Sequence, residues 1–154
     1  MRKLSQLMII AMLMSVKAWA GPAVDQACKE SFFKHREKIR ECKIKGTRPA
    51  VIRSCASQSH FGKTWFGVEC AIHAKAPAVV RACDWSFGGE DIVDALDCSI
   101  HAKSPAVITT CGLFFSDLGR RLGCSLQARS PNRIKNCNQQ FKEGSQRALR
   151  CSIR

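Results

Sequence analysis

Beyond Val16 the chain contains no second long apolar stretch, which argues against an anchor spanning a membrane. Nor does it contain a Gly-x-Ser-x-Gly elbow or a glycine-rich phosphate loop, the signatures of two common routes to hydrolytic and phosphoryl-transfer chemistry. Tyrosine is missing altogether, and only Trp65 and Trp85 follow the first twenty residues. Acids are scarce: 12 Asp and Glu stand against 25 Lys and Arg, a net charge of +13. Such a balance speaks to solubility and to loose association with anions.

What is present begins with a pattern expected of an export signal. Arg2 and Lys3 precede an uncharged, mostly apolar run from Leu4 to Val16, and Ala18-Trp19-Ala20 supplies a small-x-small cleavage pattern. The apolar run is short for a membrane span, and no cysteine follows the expected cut, which argues against a lipoprotein. We therefore expect residues 1–20 to be a cleaved signal peptide and the protein to be secreted or periplasmic. Without Arg2, Lys3 and Lys17 the basic count falls to 22, leaving +10 on residues 21–154.

All ten cysteines lie after the expected cut, at Cys28, Cys42, Cys55, Cys70, Cys83, Cys98, Cys111, Cys124, Cys137 and Cys151. An even count in an exported chain of this size points to disulfides rather than zinc. Their spacing is locked to the prolines. Pro22, Pro49, Pro77, Pro105 and Pro131 are each followed six residues later by a cysteine, and every other cysteine except the last is followed seven residues later by a proline. Ala71-Ile72-His73-Ala74-Lys75-Ala76-Pro77 and Ser99-Ile100-His101-Ala102-Lys103-Ser104-Pro105 are near copies. A period of about 27 residues marks a stacked repeat array. The repeats run 22–48, 49–76, 77–104, 105–130 and 131–154, within one helical-repeat domain at 21–154.

Each repeat reads as two helices. Proline suits the first helical position, where its missing N–H would be unpaired anyway, and Ser104 and Ser130 stand ahead of Pro105 and Pro131 as N-caps. Val79, Val80, Cys83 and Phe87, like Val107, Ile108, Cys111 and Phe115, fall at the three- and four-residue offsets of one apolar stripe. Phe32 and Phe141 read as core rings too, while the first repeat departs with Asp25 and the second with Ser59 in place of Phe. The second helix, as in Ile92 to Lys103, passes through its own cysteine. The turn inside a repeat varies in length and the turn between repeats never does, as expected where a packed junction fixes the latter. Helices this short are marginal alone in water, so cross-linking is needed. Pairing within repeats, Cys28–Cys42, Cys55–Cys70, Cys83–Cys98, Cys111–Cys124 and Cys137–Cys151, leaves no cysteine stranded. Pairing between neighbouring repeats would strand Cys28 and Cys151. The fold class is thus all-α, a short solenoid of five disulfide-stapled αα-hairpins. Its plan is similar to Sel1-like and tetratricopeptide arrays, with a shorter unit and without their Gly and Tyr signature positions, so no family is assigned.

Candidate functional residues are columns rather than a constellation. His73 and His101 share a repeat position with Lys45; Lys75, Lys103 and Arg129 align, as do Arg53, Arg81 and Lys135. Aligned positions in a solenoid form a ladder on one surface, so a positive strip is expected. Lys75, Lys103 and Arg129 could equally complement helix dipoles from last turns. Glu41, Glu69 and Asp97 recur before the second cysteine and read as a solvated column; His35 and His60 fall near turns and read as solvated. No metal site, cofactor or catalytic residue is expected. The leading expectation is an exported, non-enzymatic binding protein that engages an acidic protein or an anionic cell-envelope polymer through the basic ladder. The alternative is a cationic membrane-active effector, whose apolar positions would have to be exposed rather than committed to packing. A hydrolase using His73 or His101 ranks last. Nucleic acid ranks low among partners, because an exported protein rarely meets it.

Overall fold

Proline sets the beat of the fold. A computed structural model describes residues 21–58, 60–61 and 64–154, so the expected signal sequence and Ser59 lie outside the described residues. It shows five helical hairpins: α1 (Pro22–Phe32) with α2 (Arg36–Lys45), α3 (Pro49–Ser57) with α4 (Trp65–His73), α5 (Pro77–Phe87) with α6 (Ile92–His101), α7 (Pro105–Phe114) with α8 (Leu118–Gln127), and α9 (Pro131–Gln140) with α10 (Gln146–Ile153). No strand occurs among the described residues. Each odd-numbered helix begins at its proline, and the residue ahead is extended, as at Ala76 (φ −154°, ψ 145°) and Ser130 (φ −156°, ψ 152°). The proline ring forces that conformation on its predecessor, which makes the junction a sharp stop followed by a clean start.

The caps match the chemistry of the starts. The Ser104 and Ser130 hydroxyls accept from the Val107 and Arg133 N–H groups at 3.4 and 3.3 Å. Asp91, Asp117 and Ser145 do the same for α6, α8 and α10. The ends are equally regular: the Ala74, Ala102 and Ala128 N–H groups each donate to the carbonyl of the cysteine four residues back, at 2.8 Å. α6 therefore ends at His101, two residues short of the Lys103 expected from the pattern, because Ala102 is already extended (ψ 154°).

The five disulfides are the within-repeat set, Cys28–Cys42, Cys55–Cys70, Cys83–Cys98, Cys111–Cys124 and Cys137–Cys151. Each staples the two antiparallel helices of one hairpin across a Cα–Cα distance of 5.7–5.8 Å. The hairpins stack so that α1, α3, α5, α7 and α9 form one layer and α2, α4, α6, α8 and α10 the other. Nine of the ten cysteines are buried, and Cys151 is half-buried.

One apolar core runs through the first three repeats and the near face of α7, with Phe32, Phe61, Phe87, Ile52, Val80 and Ile108 buried. A smaller core, with Val107, Phe115, Ile134 and Leu149, serves the last two repeats. The second repeat lacks phenylalanine at the expected place, and Phe61, from the turn, is fully buried in the same core. A Cβ on Gly67 would lie 2.6 Å from the Phe61 carbonyl oxygen, so only glycine lets α4 approach that turn. Phe141 differs from its counterparts in being only half-buried. Asp25, where the first repeat departs from the others, is ion-paired. It pairs with Lys29 at 2.6 Å and with Lys43, and these bonds, Lys29 first, hold its carboxyl below the ordinary 3.8.

Candidate functional site

The nine candidate binding residues separate into three columns, set by where each falls relative to a cysteine. With 100° between successive residues of a helix, the position three after the second cysteine lies on the outer face of the even-numbered layer. There Lys45, His73 and His101 each face the acid one turn earlier: Lys45–Glu41 at 2.7 Å, His73 Nε2–Glu69 at 3.5 Å and His101 Nε2–Asp97 at 3.4 Å. The acids expected to form a solvated column are thus paired, turn for turn, with the basic column. Glu41 at this distance, and Glu69 more weakly, hold the Lys45 ammonium above the ordinary lysine value. Every base in this column therefore has an acid of its own within reach.

The second column lies on the outer face of the odd-numbered layer, two residues before the first cysteine. Arg53 contacts Glu30 of the preceding repeat at 3.3 Å. Arg81 and Lys135 are exposed and make no ion pair among the described residues, and Thr109 interrupts the series between them.

The third column is the connector row. Lys75, Lys103 and Arg129 each sit two residues beyond the end of α4, α6 or α8, on the extended segment leading to the next proline. They were expected in last helical turns. The cysteine carbonyls that end each helix are instead satisfied by the alanine N–H groups, and helix-dipole complementation fades outside the last turn. All three are exposed and without an ion pair among the described residues. The connectors also carry a contact that sequence reasoning missed: Arg48, the residue before Pro49, donates from Nη1 to the Lys75 carbonyl of the next connector. Alanine or serine occupies this place ahead of the other internal prolines, and that departure was the available signal.

Two further groups were not anticipated. His60 is half-buried rather than solvated, with Nδ1 3.1 Å from the Asp84 carboxylate across the second and third repeats. Arg121 is buried at 7% exposure and donates to three backbone carbonyls, those of Ser86, Phe115 and Ser116, while facing Glu90 at 3.4 Å and the Phe87 ring at 5.7 Å. It is a structural clamp across the third and fourth repeats. His35 lies 3.8 Å from Glu37.

Several apolar side chains are not committed to packing as expected. Trp85 and Leu113 are 61% and 65% exposed on the outer odd-numbered layer, where the Trp85 ring lies so close to Gly112 that a Cβ there would sit 3.2 Å from Cζ3. Trp65 and Val93 are exposed on the other layer. Two depressions mark the surface. One, of about 580 Å³, follows the outer face of α2. The other, of about 290 Å³, lies between two connectors and includes Lys103 and Arg129 in its walls.

Among the described residues no three His, Cys, Asp or Glu side chains gather closely enough to hold a metal ion. No described helix is long and apolar enough to cross a membrane. Comparison with family models, with curated proteins and with solved structures finds no match for this chain.

Proposed function

We propose that this protein is an exported, non-enzymatic binding protein that engages an acidic protein or an anionic envelope polymer through its connector row. Five disulfides belong to an oxidising setting, outside the cell or in a periplasm. The observation that carries the reading is selective pairing. Where the chain places a base beside an acid, in the Lys45–His73–His101 column, it pairs them; Lys75, Lys103 and Arg129 recur with no acid in reach among the described residues. Cations held at equal repeat intervals and left uncompensated suit an extended anionic partner, and they speed encounter as well as holding it.

The test is capture from an envelope extract by the oxidised protein at rising ionic strength. Binding is expected to weaken steeply as the Debye length shrinks from about 10 Å at 0.1 M salt to about 3 Å at 1 M. It should be lost in the Lys75→Glu, Lys103→Glu, Arg129→Glu protein. Capture that is indifferent to salt removes the electrostatic reading.

A second reading is favoured by Trp85, exposed one helical turn from Arg81, and by Leu113, exposed on the neighbouring helix α7. An apolar patch beside a cation suits the surface of an anionic bilayer. Leakage from anionic vesicles at micromolar protein, abolished by Trp85→Ser, would support it, and intact vesicles would end it.

A further inference from the structure

We infer that the groove between the third and fourth connectors is a binding site for an extended acidic peptide, with an acid–apolar–acid segment as its preferred occupant. The inference rests on the connector row being the binding surface and says where on it, and to what, the protein binds.

The groove encloses about 290 Å³ between the segment Lys103–Ser104 and the segment leading to Arg129. Leu126 and the edge of the largely buried Val107 give it an apolar part beside the polar Ser125 and Gln127, and Lys103 and Arg129 stand in its walls. Val107 is 3% exposed and therefore fixed in place by the core. The site combines two uncompensated cations with an apolar surface between them, and each part has a matching requirement in a ligand.

The first junction shows what closes such a place. There Arg48 precedes the proline and reaches across to the Lys75 carbonyl on the following connector. Ser104 holds the same repeat position at the third junction, and Arg129 holds that of Lys75. The Ser104 hydroxyl is too short to cross and accepts from the Val107 N–H of its own helix instead. The two junctions thus share a backbone plan and differ in whether the chain's own side chain lies across it.

The chemistry of the walls selects the occupant. A compact anion would use convergent donors, and the backbone N–H of Val107, one of the lining residues, is already taken by Ser104. Successive stacked helices place equivalent residues about 8–10 Å apart. In an extended peptide, residues i and i+2 lie about 7 Å apart on one side and residue i+1 points to the other. Carboxylates at i and i+2 can then meet the long Lys103 and Arg129 side chains at the rim, Arg129 with paired N–H donors. The apolar residue between them faces Val107 and Leu126.

The experiment titrates the purified, oxidised protein with a fluorescent acetyl-Gly-Glu-Leu-Glu-Gly-amide peptide and follows the methyl resonances of Val107 and Leu126. Saturable binding that shifts those methyls, and that weakens at least tenfold in Lys103→Glu/Arg129→Glu, is expected. The deciding variant is Ser104→Arg, which adds a positive charge and installs the Arg48 arrangement across the groove. An occupied groove predicts at least tenfold weaker binding despite the added charge, with an unchanged helical circular-dichroism spectrum at the assay temperature and a melting midpoint lowered only as far as the lost Ser104 cap requires. Equal or tighter binding by a folded Ser104→Arg protein overturns the groove while leaving the connector row as a general anion surface. No binding of the peptide by the unaltered protein, alongside salt-sensitive capture of an envelope component, also overturns the groove alone. Failure of both assays overturns the groove and the function it rests on together.

Discussion

The first three repeats and the last two solve the same packing problem with different materials. Toward the N-terminus a single apolar core continues from one hairpin to the next, with Phe32, Phe61 and Phe87 all buried. Toward the C-terminus the core shrinks, and polar groups take over positions between helices. Asn138 is buried, with its amide donating to the Ile134 carbonyl and accepting from the Gly144 N–H, both at 2.9 Å. Between the two regions stands Arg121, bonded to carbonyls contributed by both the third and fourth repeats. Apolar burial supplies cohesion wherever a neighbour exists on both sides, whereas a terminal repeat must keep a polar outer face to remain soluble. Hydrogen-bonded polar groups make that transition, with the Ser86 hydroxyl at the seam left buried and without a partner among the described residues.

The largest break in this comparison should come from the rings. Phe61→Ala removes a fully buried side chain that reaches the core from a turn, and is expected to cost about 3–5 kcal/mol in urea unfolding. Phe141→Ala, on a half-buried ring at the polar end, should cost about 1 kcal/mol, because less surface returns to water. Equal losses would mean that the two regions are one cooperative core.

The disulfides come next. Replacing Cys83 and Cys98 with serine opens a staple spanning 15 residues of sequence, and a loop of that size contributes about 3 kcal/mol in the chain-entropy model. The effect should spread, since the third repeat has a neighbour on either side. Replacing Cys137 and Cys151 opens a loop of similar size, 14 residues, but at the end of the stack. Amide hydrogen exchange should then show fraying confined to α9 and α10, as nearest-neighbour coupling requires.

Arg121→Met probes the seam itself. The variant keeps most of the packing volume and strands the buried Ser86 and Phe115 carbonyls, while that of Ser116 can turn to water, at an expected net cost of about 2 kcal/mol. In a protein that starts at Gly21, Trp65 and Trp85 are the tryptophans and both belong to the first three repeats, so fluorescence reports that region and far-ultraviolet circular dichroism the whole array. The two transitions should separate in this variant. If they coincide, Arg121 does not couple the regions.

The seam was also the least readable part of the sequence. Proline and cysteine spacing carried the helix starts, the hairpins and the disulfide pairing, because the geometry of a stapled antiparallel pair depends on little else. Arg121 gave no comparable signal, being one arginine in a chain rich in them. Phe61 lies six residues after its cysteine instead of four and left no periodic trace, since it arrives by a turn and not along a helix face. The connector cations were misplaced for a related reason. Composition cannot tell the last turn of a helix from the first extended residues beyond it, and only the N–H donated by the intervening alanine fixes the boundary. Of the candidate site, the columns were visible and their pairing was not: an acid four residues before a base is also the ordinary pattern of a solvated helix face.

The smallest expected effect is electrostatic and has a definite sign. Asp94, in the first turn of α6, is driven above the ordinary carboxylate value of 3.8 by burial first, then by Asp91 and Asp97. A carboxyl whose pKa is higher in the folded protein than in the unfolded chain opposes folding once both forms are ionised. That penalty is absent below 3.8, grows as the pH rises through the elevated value and is fully present at neutrality. Asp94→Asn should therefore raise the melting midpoint modestly at pH 7 and leave it unchanged at pH 3. The Asp91 cap, which accepts from the Val93 and Asp94 N–H groups, is untouched by the substitution. Asp25 at the N-terminal edge provides the opposite sign, since its lowered pKa stabilises the fold above 3.8 and the benefit is lost as the pH falls through the lowered value. Asp25→Asn should lower the midpoint at pH 7 by more than it does at pH 3. Should both substitutions shift the midpoint in the same direction at neutrality, the two carboxylates do not occupy the contrasting environments described, an ion-paired array end and an acid-crowded helix start.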